Sequence, residues 1–335
     1  MLAPCDVELI QATERLEALA PDWWDLWRRC PEATPFQSPA WLLAWWQQFH
    51  PGRLAVFGLH CRGRLAGLAP FYLEEPAAGA RLLPVGISLS DHLDILLDPD
   101  LSERAARALS AALVSELDWA SCSLEELAPD AAALRLERLA GCNEDLREQS
   151  ACPILQLDQC AGEVPRAIPA EQRRKLRRAR RRAEARGACE IVPAANDSLH
   201  FLSELAGLHA ARWRERGEAG VLADARVRAF HSAALPRLAA AGVARLFLLT
   251  IGGETVAAYY GFLHGDRAYA YLGGFDPAFA EESPGAILIG HAIARAAAEG
   301  ARSFDFLRGR ESYKYAWGAH DTWNKRRCFD RGRAA

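Results

Sequence analysis

The sequence predicts an α+β (α/β) fold in two domains, each a mixed, mostly antiparallel central sheet flanked by helices. The chain has 335 residues, half of them hydrophobic, enough for two domains that each bury a core. In both halves a meander of short alternating runs is followed by a helical pattern and one more strand. This repeated order favours an internal duplication, and coincidence between two unrelated domains is the alternative.

The first half begins with helical patterns. Residues 8–29 are predicted to form a helix, and a second helix follows Ser38, which can cap it, with Pro39 at its first position. Two alternating runs around Cys61-Arg62-Gly63 predict a hairpin. The elements predicted after it are one or two strands within 81–98, a helix over 101–120, a short strand over 121–128 and a helix over 129–140.

The second half follows the same order. Gly252-Gly253 predicts a tight hairpin, and Ser283, Pro284 and Gly300 mark the two ends of a helix. The other predicted elements are a strand over 151–158, helices over 169–187, 196–216 and 224–241, a strand over 267–276 and a last strand over 302–307. A polar stretch over 141–153 lacks periodicity, so the predicted domains are 1–148 and 149–335.

Composition indicates a cytoplasmic protein without a metal site. The net charge is −3, no apolar stretch reaches the roughly 18 residues that span a bilayer, and the first residues lack the pattern of a secretory signal. Nine cysteines are scattered without a CxxC pair, and Cys152 and Cys160 are the closest two. We therefore expect free thiols in a reducing compartment rather than disulfides or metal ligands.

A strongly basic helix is predicted over 171–187. It carries nine basic and two acidic residues, with a thin apolar stripe at Leu176, Ala179 and Ala183. Three interpretations remain open: a solvated face, a grip on the phosphates of a nucleotide-bearing substrate, or contact with polymeric nucleic acid or an anionic membrane. Because the rest of the chain is acidic, we favour a local phosphate site, with Arg173, Arg174 and Lys175 as cofactor-binding residues.

The last predicted strand leads into a crowded polar segment. Within eight residues lie acid, base and phenol groups, namely Arg308, Arg310, Glu311, Tyr313, Lys314 and Tyr315. A meander followed by a capped helix and a strand can hold coenzyme A, with the pantetheine arm on a splayed strand edge and the pyrophosphate on the helix start. Ser283, Gly285 and Ala286, with the Ile287 amide, would form that phosphate site; the alternative is that these residues only start a helix.

Three stretches carry a family resemblance: EQRRKLRRARRRAEARG, LHAARWRERG and ESPGAILIGHAIARAAAEGARSFDFLRGRESYKYAWG. Together they resemble the CelD-type acetyltransferases of the GNAT superfamily, a family similar to the Fem aminoacyltransferases. The resemblance covers 150–320 well, and SLSDHLDILLD in the first half weakly. It implies tandem GNAT domains that transfer an acyl group, without a metal, to an amine or hydroxyl of a small-molecule or saccharide acceptor, with links to exopolysaccharide or cellulose synthesis.

The donor implied by the resemblance is acyl-CoA, such as acetyl-CoA. The usual GNAT phosphate loop, Q/R-x-x-G-x-G/A, is absent, because FAEESPGAILIG keeps a single glycine at that turn. An acyl-tRNA therefore stays open as the donor, and a non-catalytic binding protein on the same fold is a further alternative.

Acyl transfer to an amine needs a base, donors for an oxyanion and an acid for the leaving group. We expect Glu311 to orient the substrate or act as base, and Asp305 to point into the cleft, away from Phe304 and Phe306. Tyr313 or Tyr315 can protonate the leaving group, while Lys314 holds a substrate carboxylate or phosphate and Arg308 contacts substrate. The alternative is a surface pair of Glu311 and Lys314 beside packed tyrosines.

Two further clusters are candidate substrate-binding residues. Trp213 lies between Arg212, Arg214 and Arg216 at a predicted helix end, and can either stack on a sugar or base or pack in the core. Asp91, His92 and Asp94 lie in a predicted strand, where Asp91 and His92 would face opposite sides and cannot form a dyad. Asp91 is the candidate at a cleft between the two halves.

Overall fold

The computed structural model describes residues 5–77, 79–157, 166–214 and 217–331. These residues form two compact units: unit 1 comprises the described residues of 5–150 together with 323–331, and unit 2 those of 151–322. The sequence predicted one boundary, at 148/149, and did not foresee that the end of the chain returns to unit 1.

The secondary structure alternates strands and helices along the chain. The strands are β1 (Cys5–Ile10), β2 (Arg53–Cys61), β3 (Arg64–Glu74), β4 (Arg81–Pro84), β5 (Leu96–Leu97), β6 (Ser121–Leu127), β7 (Cys142–Gln156), β8 (Cys189–Pro193), β9 (Ala244–Ile251), β10 (Glu254–His264), β11 (Arg267–Phe275), β12 (Ser303–Asp305) and β13 (His320–Arg331). The helices are α1 (Thr13–Ala18), α2 (Ala20–Arg29), α3 (Pro39–Phe49), α4 (Ser102–Ser115), α5 (Ala170–Arg186), α6 (Ser198–Arg214), α7 (Ala225–Ala240), α8 (Pro284–Ala298) and α9 (Ser312–Ala316).

Unit 1 contains a mixed sheet in the order β1-β2-β3-β4-β6-β13. The pairings are antiparallel except that of β4 with β6, which is parallel. Helix α4 packs Leu109 and Leu113 into a core that includes Phe57 and Phe71 of the sheet. The predicted hairpin at Cys61-Arg62-Gly63 is confirmed, since β2 and β3 pair across it.

Several elements of unit 1 differ from the sequence prediction. The predicted helix over 8–29 is instead strand β1 followed by α1 and α2. The predicted helix over 129–140 is reduced to a 3-10 turn, Ala132–Arg135. The polar stretch taken as a boundary belongs to β7, and β13 was not predicted. Strands β1, β7 and β13 depend on pairing with distant strands, which local periodicity does not report.

A disulfide joins the first two strands. Cys5 and Cys61 are partners across the β1–β2 ladder, with their Cα atoms 4.4 Å apart. The expectation of free thiols throughout is therefore wrong for this pair, because 56 residues separate the two cysteines and only strand pairing brings them together. The argument from free thiols to a reducing compartment loses its basis. Cys160 lies outside the described residues.

Unit 2 contains a sheet in the order β7-β12-β11-β10-β9-β8. Pairing is antiparallel except between β11 and β12, which run parallel. Helices α5 and α8 pack on one face, with Phe247 and Tyr259. The opposite face bears Tyr260, whose ring meets Phe201 of α6 and His231 of α7. The predicted fold class, a mixed and mostly antiparallel sheet flanked by helices, is confirmed.

The hairpin between β9 and β10 forms as the sequence predicts. Gly252 and Gly253 have φ of +62° and +88°, values that glycine adopts without strain. Among the described residues, none of the helices combines the length and the apolar character needed to span a bilayer.

We expect the disulfide to stabilise the chain. In the chain-entropy model, closing a loop of this length contributes about 4 kcal/mol, so Cys5→Ser should lower the free energy of unfolding by up to that amount. Denaturant titration under non-reducing conditions measures the change, with Cys189→Ser as a control at a free thiol. Equal midpoints for wild type with and without reductant would contradict a disulfide.

The buried His231 should make unfolding pH-dependent. Burial lowers the pKa of His231 from 6.5 to about 3. Below pH 6.5 His231 binds a proton in the unfolded chain but not in the folded chain. The free energy of unfolding therefore decreases as the pH is lowered, by about 3 kcal/mol at pH 4.

His231 lies among the aromatic rings of Phe230, Tyr260 and Tyr271. Replacing it by Phe should reduce the slope of the unfolding free energy against pH by the amount that corresponds to one proton. Urea unfolding at neutral and acidic pH measures it, and the exposed variant His200→Gln serves as the control. An unchanged slope in the His231→Phe variant would show that this histidine is not the group responsible.

Candidate active site

The neighbouring strands β11 and β12 part after three paired residues. Arg267–Tyr269 pair with Ser303–Asp305, and there the ladder stops. The chain after β12 turns to β7, where Phe306 N donates to Pro153 O and Gly309 N to Ala151 O. Among the described residues, no strand therefore pairs with 272–275 on the side that faces away from β10. We call this segment the free edge; its backbone groups can bind an extended chain.

A bulge lies immediately before the free edge. Tyr260 pairs with Leu272 and Gly261 with Ala270, so that Tyr271 is an extra residue in β11. Bulges bend a strand and re-aim its backbone groups. The Tyr271 ring packs against His231 and Tyr260, which holds the bulge in place. Backbone N–H groups of the free edge beyond the bulge are candidates to stabilise an oxyanion.

The far end of the free edge is bordered by two helices. A Cβ at Gly274 would lie 2.6 Å from the His209 backbone nitrogen, so α6 approaches β11 closely only because this residue is glycine. The Arg212 guanidinium lies 5.4 Å from the centre of the Phe275 ring. Gly285, at the start of α8, also lies beside Phe275, with 3.8 Å from its ideal Cβ to the ring.

The start of α8 offers fewer anion donors than the sequence suggested. Pro284 has no N–H, and the Ala286 and Ile287 amides donate to the Ser283 carbonyl at 3.0 and 3.3 Å. Ser283 has φ +52°, and its side chain makes no capping hydrogen bond. Of the expected phosphate ligands, the first turn leaves the Gly285 amide and the Ser283 hydroxyl available as donors.

Lys314 organises the segment after β12. Its side chain is 3% exposed, and Nζ donates to the carbonyls of Leu307, Arg308 and Gly309 at 3.0, 2.7 and 3.1 Å. It also pairs with Glu311 Oε2 at 3.0 Å. These partners use the donors of the ammonium, so the expectation that Lys314 holds a substrate anion does not fit. The alternative of a surface pair does not fit either, since the lysine is buried.

The segment held by Lys314 has an unusual backbone. Leu307 has φ +59°, a conformation that costs a non-glycine residue roughly 1–3 kcal/mol. Asp305 Oδ1 accepts a hydrogen bond from Leu307 N at 2.7 Å. Asp305 was expected to point into the cleft; it is 4% exposed and holds this turn instead. Glu311 is exposed, and its Oε1 has no hydrogen-bond partner among the described residues.

The two tyrosines lie in different surroundings. Tyr313 is 43% exposed, contacts the Phe306 ring edge-on at 6.3 Å and interacts electrostatically with Arg212. Burial, followed by the Glu311 carboxylate, raises the pKa of Tyr313 to about 12, so its hydroxyl keeps its proton at neutral pH. Tyr315 instead donates to Asp321 Oδ1 at 2.7 Å and accepts from Arg310, whose guanidinium pairs with the same carboxylate.

Other expected site residues lie elsewhere in unit 2. The loop at Gly220 covers Trp213, since a Cβ there would lie 2.6 Å from the indole, which agrees with the packing alternative. Arg214 is exposed at the end of α6, and Arg216 lies outside the described residues. Arg308 contributes its carbonyl to Lys314.

The cations at the start of α5 do not join the start of α8. Arg186, at the other end of α5, pairs with Glu282 just before α8. Lys175 precedes Arg186 by 11 residues, about 17 Å along the helix axis. Arg173, Arg174 and Lys175 are therefore distant from the Gly285 amide, and the expectation of one shared phosphate site does not fit this arrangement.

Sequence reasoning missed the residues that shape the free edge. Tyr271, Gly274 and His209 were not among the candidates. A signal was present, because the Gly273-Gly274 pair inside a strand indicates a bulge or a close backbone approach.

Unit 1 has a counterpart of this opening, which its own chain closes. Strands β4 and β6 pair at two positions only and then separate. Leu93 N bonds to Glu126 O at 3.1 Å in the gap, and Asp94 accepts from the Ala132 and Ala133 amides. The void left there is about 10 Å³, hardly room for one water.

Asp91 lies in this closing segment. The segment between β4 and β5 is irregular, so the predicted strand around Asp91 and His92 is wrong. The Asp91 carbonyl accepts a hydrogen bond from Asn324 at 3.0 Å, and His92 is buried beside Phe36. Their backbone thus helps to close unit 1.

Part of the chain matches a known protein family. Residues 170–315, less than half of the chain, match the family model of the acetyltransferase (GNAT) domain. No sequence among curated proteins matches the chain.

Solved structures are similar over nearly the whole chain. FemX aligns with a TM-score of 0.67 and 14% identity, over 97% of each chain. The C-terminal domain of a putative lysylphosphatidylglycerol synthetase from Agrobacterium fabrum aligns with a TM-score of 0.56 and 12% identity, over 96% of this chain and 93% of that one. A conserved protein of unknown function from Bacteroides thetaiotaomicron gives 0.60 and 12%, over 97% and 100%.

At these identities the structures show a shared fold. The family match identifies residues 170–315 as similar to the GNAT acetyltransferase domain, which supports a transferase. The CelD-type subfamily remains a prediction.

The contacts of Lys314 predict a contrast between two variants. Lys314→Met leaves three inward carbonyls without their cation and should lower the free energy of unfolding by about 2–4 kcal/mol. Glu311→Gln changes an exposed partner and should cost less than about 1 kcal/mol. Denaturant unfolding measures both, and similar small losses would show that Lys314 does not hold the segment.

Proposed function

We propose that unit 2 transfers an acyl group directly from acyl-CoA to an amine or hydroxyl of a sugar or amino compound. The free edge at 272–275 carries the proposal, because an extended arm with its own amides can pair there as an added strand. The pantetheine arm of coenzyme A has two such amides. The CelD-type resemblance suggests exopolysaccharide or cellulose synthesis as the setting.

The chemistry proceeds through one tetrahedral intermediate. The acceptor nitrogen or oxygen attacks the thioester carbonyl, and backbone N–H groups of the free edge stabilise the oxyanion. Glu311 orients the acceptor and takes its proton at Oε1, while Lys314 holds Oε2 and so acts as a positioning residue. As the carbon–sulfur bond breaks, Tyr313 protonates the departing thiolate.

A second donor, an aminoacyl ester of tRNA, is favoured by a specific observation. Among the described residues, the first turn of α8 leaves one backbone amide, that of Gly285, for a pyrophosphate, and the usual GNAT glycine loop is absent. The fold similarity to FemX and to a lysylphosphatidylglycerol synthetase domain supports the same alternative. In that case an ester oxygen, rather than a thiolate, receives the proton from Tyr313.

Acetyl-CoA should bind one site per chain, because the opening of unit 1 is closed. At a hundredfold excess over its Kd it should stabilise the fold by about 2.7 kcal/mol. Calorimetric titration and thermal shift measure stoichiometry and stabilisation. If neither acetyl-CoA nor longer acyl-CoAs bind, and aminoacyl-tRNA supports transfer, the second donor replaces the first.

Tyr313→Phe should lower kcat about 100-fold, because the leaving group loses its acid. Tyr315→Phe removes a phenol held by Asp321 and should keep kcat near the wild-type value. Thiol release from acetyl-CoA with a panel of amino sugars as acceptors measures both variants. Equal losses in the two variants would remove Tyr313 from its role as acid.

A further inference from the structure

Helix α5 exposes a ridge of arginines. Of its nine basic residues, Lys175 pairs with Glu171 at 2.8 Å and Arg186 with Glu282 at 3.0 Å. The other seven have no carboxylate within ion-pair distance among the described residues. We call these seven the arginine ridge: Arg173, Arg174, Arg177, Arg178, Arg180, Arg181 and Arg182.

The helix beneath the ridge is fixed in place. A Cβ at Gly290 of α8 would lie 2.6 Å from the Leu176 side chain, so the two helices approach closely. Ala179 and Ala183 are buried along the same stripe. Arg186 anchors the end of α5 to Glu282 and lies over the Phe279 ring. Helix α5 therefore cannot roll to cover its arginines, and their mutual repulsion persists in the folded chain.

The ridge occupies more than one side of the helix. Arg173 and Arg182 are nine residues apart, which at about 100° per residue puts them on opposite flanks. Arg174, Arg178 and Arg181 lie between them on the outer arc. A flat anionic surface can contact only the arginines of the outer arc. In a groove, the phosphates of the two strands lie on either side of the helix and can contact the arginines of the outer arc and of both flanks.

Charge density and groove size also match a duplex. From Arg173 to Arg182 the helix rises about 14 Å. Duplex DNA carries one phosphate charge per roughly 1.7 Å of its axis, or about eight over that length, close to the seven arginines. A groove about 12 Å wide admits an α-helix.

Two features of α5 argue against other anionic partners. Alanine is the largest apolar residue at its exposed positions, so it lacks the bulky side chains with which interfacial helices enter a bilayer. The ridge also extends over more charges than a single pyrophosphate can neutralise. The helix itself offers the ridge little neutralisation, since Glu184 is the one carboxylate of α5 besides the Glu171 that pairs with Lys175.

We propose that the arginine ridge docks duplex DNA, with α5 in the major groove and arginines on both phosphate strands. The contact is to phosphates and is independent of base sequence. The inference goes beyond the proposed acyl transfer and rests on α5 alone, so it holds or fails independently of the donor.

Fluorescence anisotropy with a DNA duplex two helical turns long tests the proposal on the full chain. An RNA duplex of the same length, whose major groove is deep and narrow, should bind more weakly. We expect binding that weakens steeply between about 50 and 200 mM salt, with a log–log slope of about −0.9 per phosphate contacted. The outer variant, Arg174→Gln with Arg178→Gln and Arg181→Gln, should lower the magnitude of the slope by about 2–3 and weaken binding at least about tenfold.

Two matched variants make the test specific. The flank variant, Arg173→Gln with Arg182→Gln, should lower the magnitude of the slope by about 2, because both flanks contact phosphate. The control, Arg62→Gln with Arg138→Gln and Arg237→Gln, removes three exposed charges outside α5 and should bind as wild type does.

Three results would overturn the proposal. The first is no duplex binding at low salt. The second is equal weakening in the control and outer variants, which would reflect net charge alone. The third is that the protein binds vesicles of phosphatidylcholine and phosphatidylglycerol in equal parts but does not bind duplexes, and that the flank variant binds these vesicles as wild type does.

Discussion

The early separation of β11 from β12 is the constraint on which the site of unit 2 depends. After Tyr269 and Asp305 the ladder ends, and the chain beyond β12 is held in another course. Asp305 bonds the Leu307 amide, and the buried Lys314 ammonium gathers three successive carbonyls. Because these bonds favour the left-handed conformation at Leu307, the chain cannot continue along β11. The free edge is thus the consequence of a turn stabilised several residues further along the sequence.

The polar side chains of this segment have two different roles. Lys314 and Asp305 shape the backbone, and Glu311 and Tyr313 are the groups that solvent or substrate can reach. The division follows from burial, since a cation surrounded by carbonyls in the interior is stabilised where it lies and has no donors left for a ligand. A single buried lysine can therefore position a neighbouring carboxylate without touching substrate.

Each unit has a gap between two separating strands, which is filled in unit 1 and open in unit 2. In each, a parallel pair of strands separates soon after it begins. In unit 1 the chain itself enters the gap, with Leu93 on β6 and the Asp94 carboxylate on a 3-10 turn. In unit 2 no described segment does so. The repeated order of elements in the sequence predicts two similar sheets, but it contains no signal for which gap stays open.

What the sequence could predict follows the range of the interactions. Gly252-Gly253 and the Pro284 helix start depend on local backbone preferences, and both appear where expected. The Cys5–Cys61 bridge, the strand β13 and the bulge at Tyr271 depend on partners far away in the chain, and all three were missed. Lys314 shows the limit of sequence-based prediction most clearly. Its position in the sequence indicates that it is near Glu311, but it does not indicate that Nζ donates to the carbonyls of residues 307–309.

The pairing of a donor arm with the free edge can be measured directly by amide hydrogen exchange. Saturating acetyl-CoA should slow exchange in peptides that contain residues 272–275, and leave the closed segment of unit 1, residues 85–95, unchanged. Protection of 272–275 together with the start of α8 is the result expected here. Protection of unit 1 alone, or turnover of acetyl-CoA with no protection at 272–275, would contradict the account.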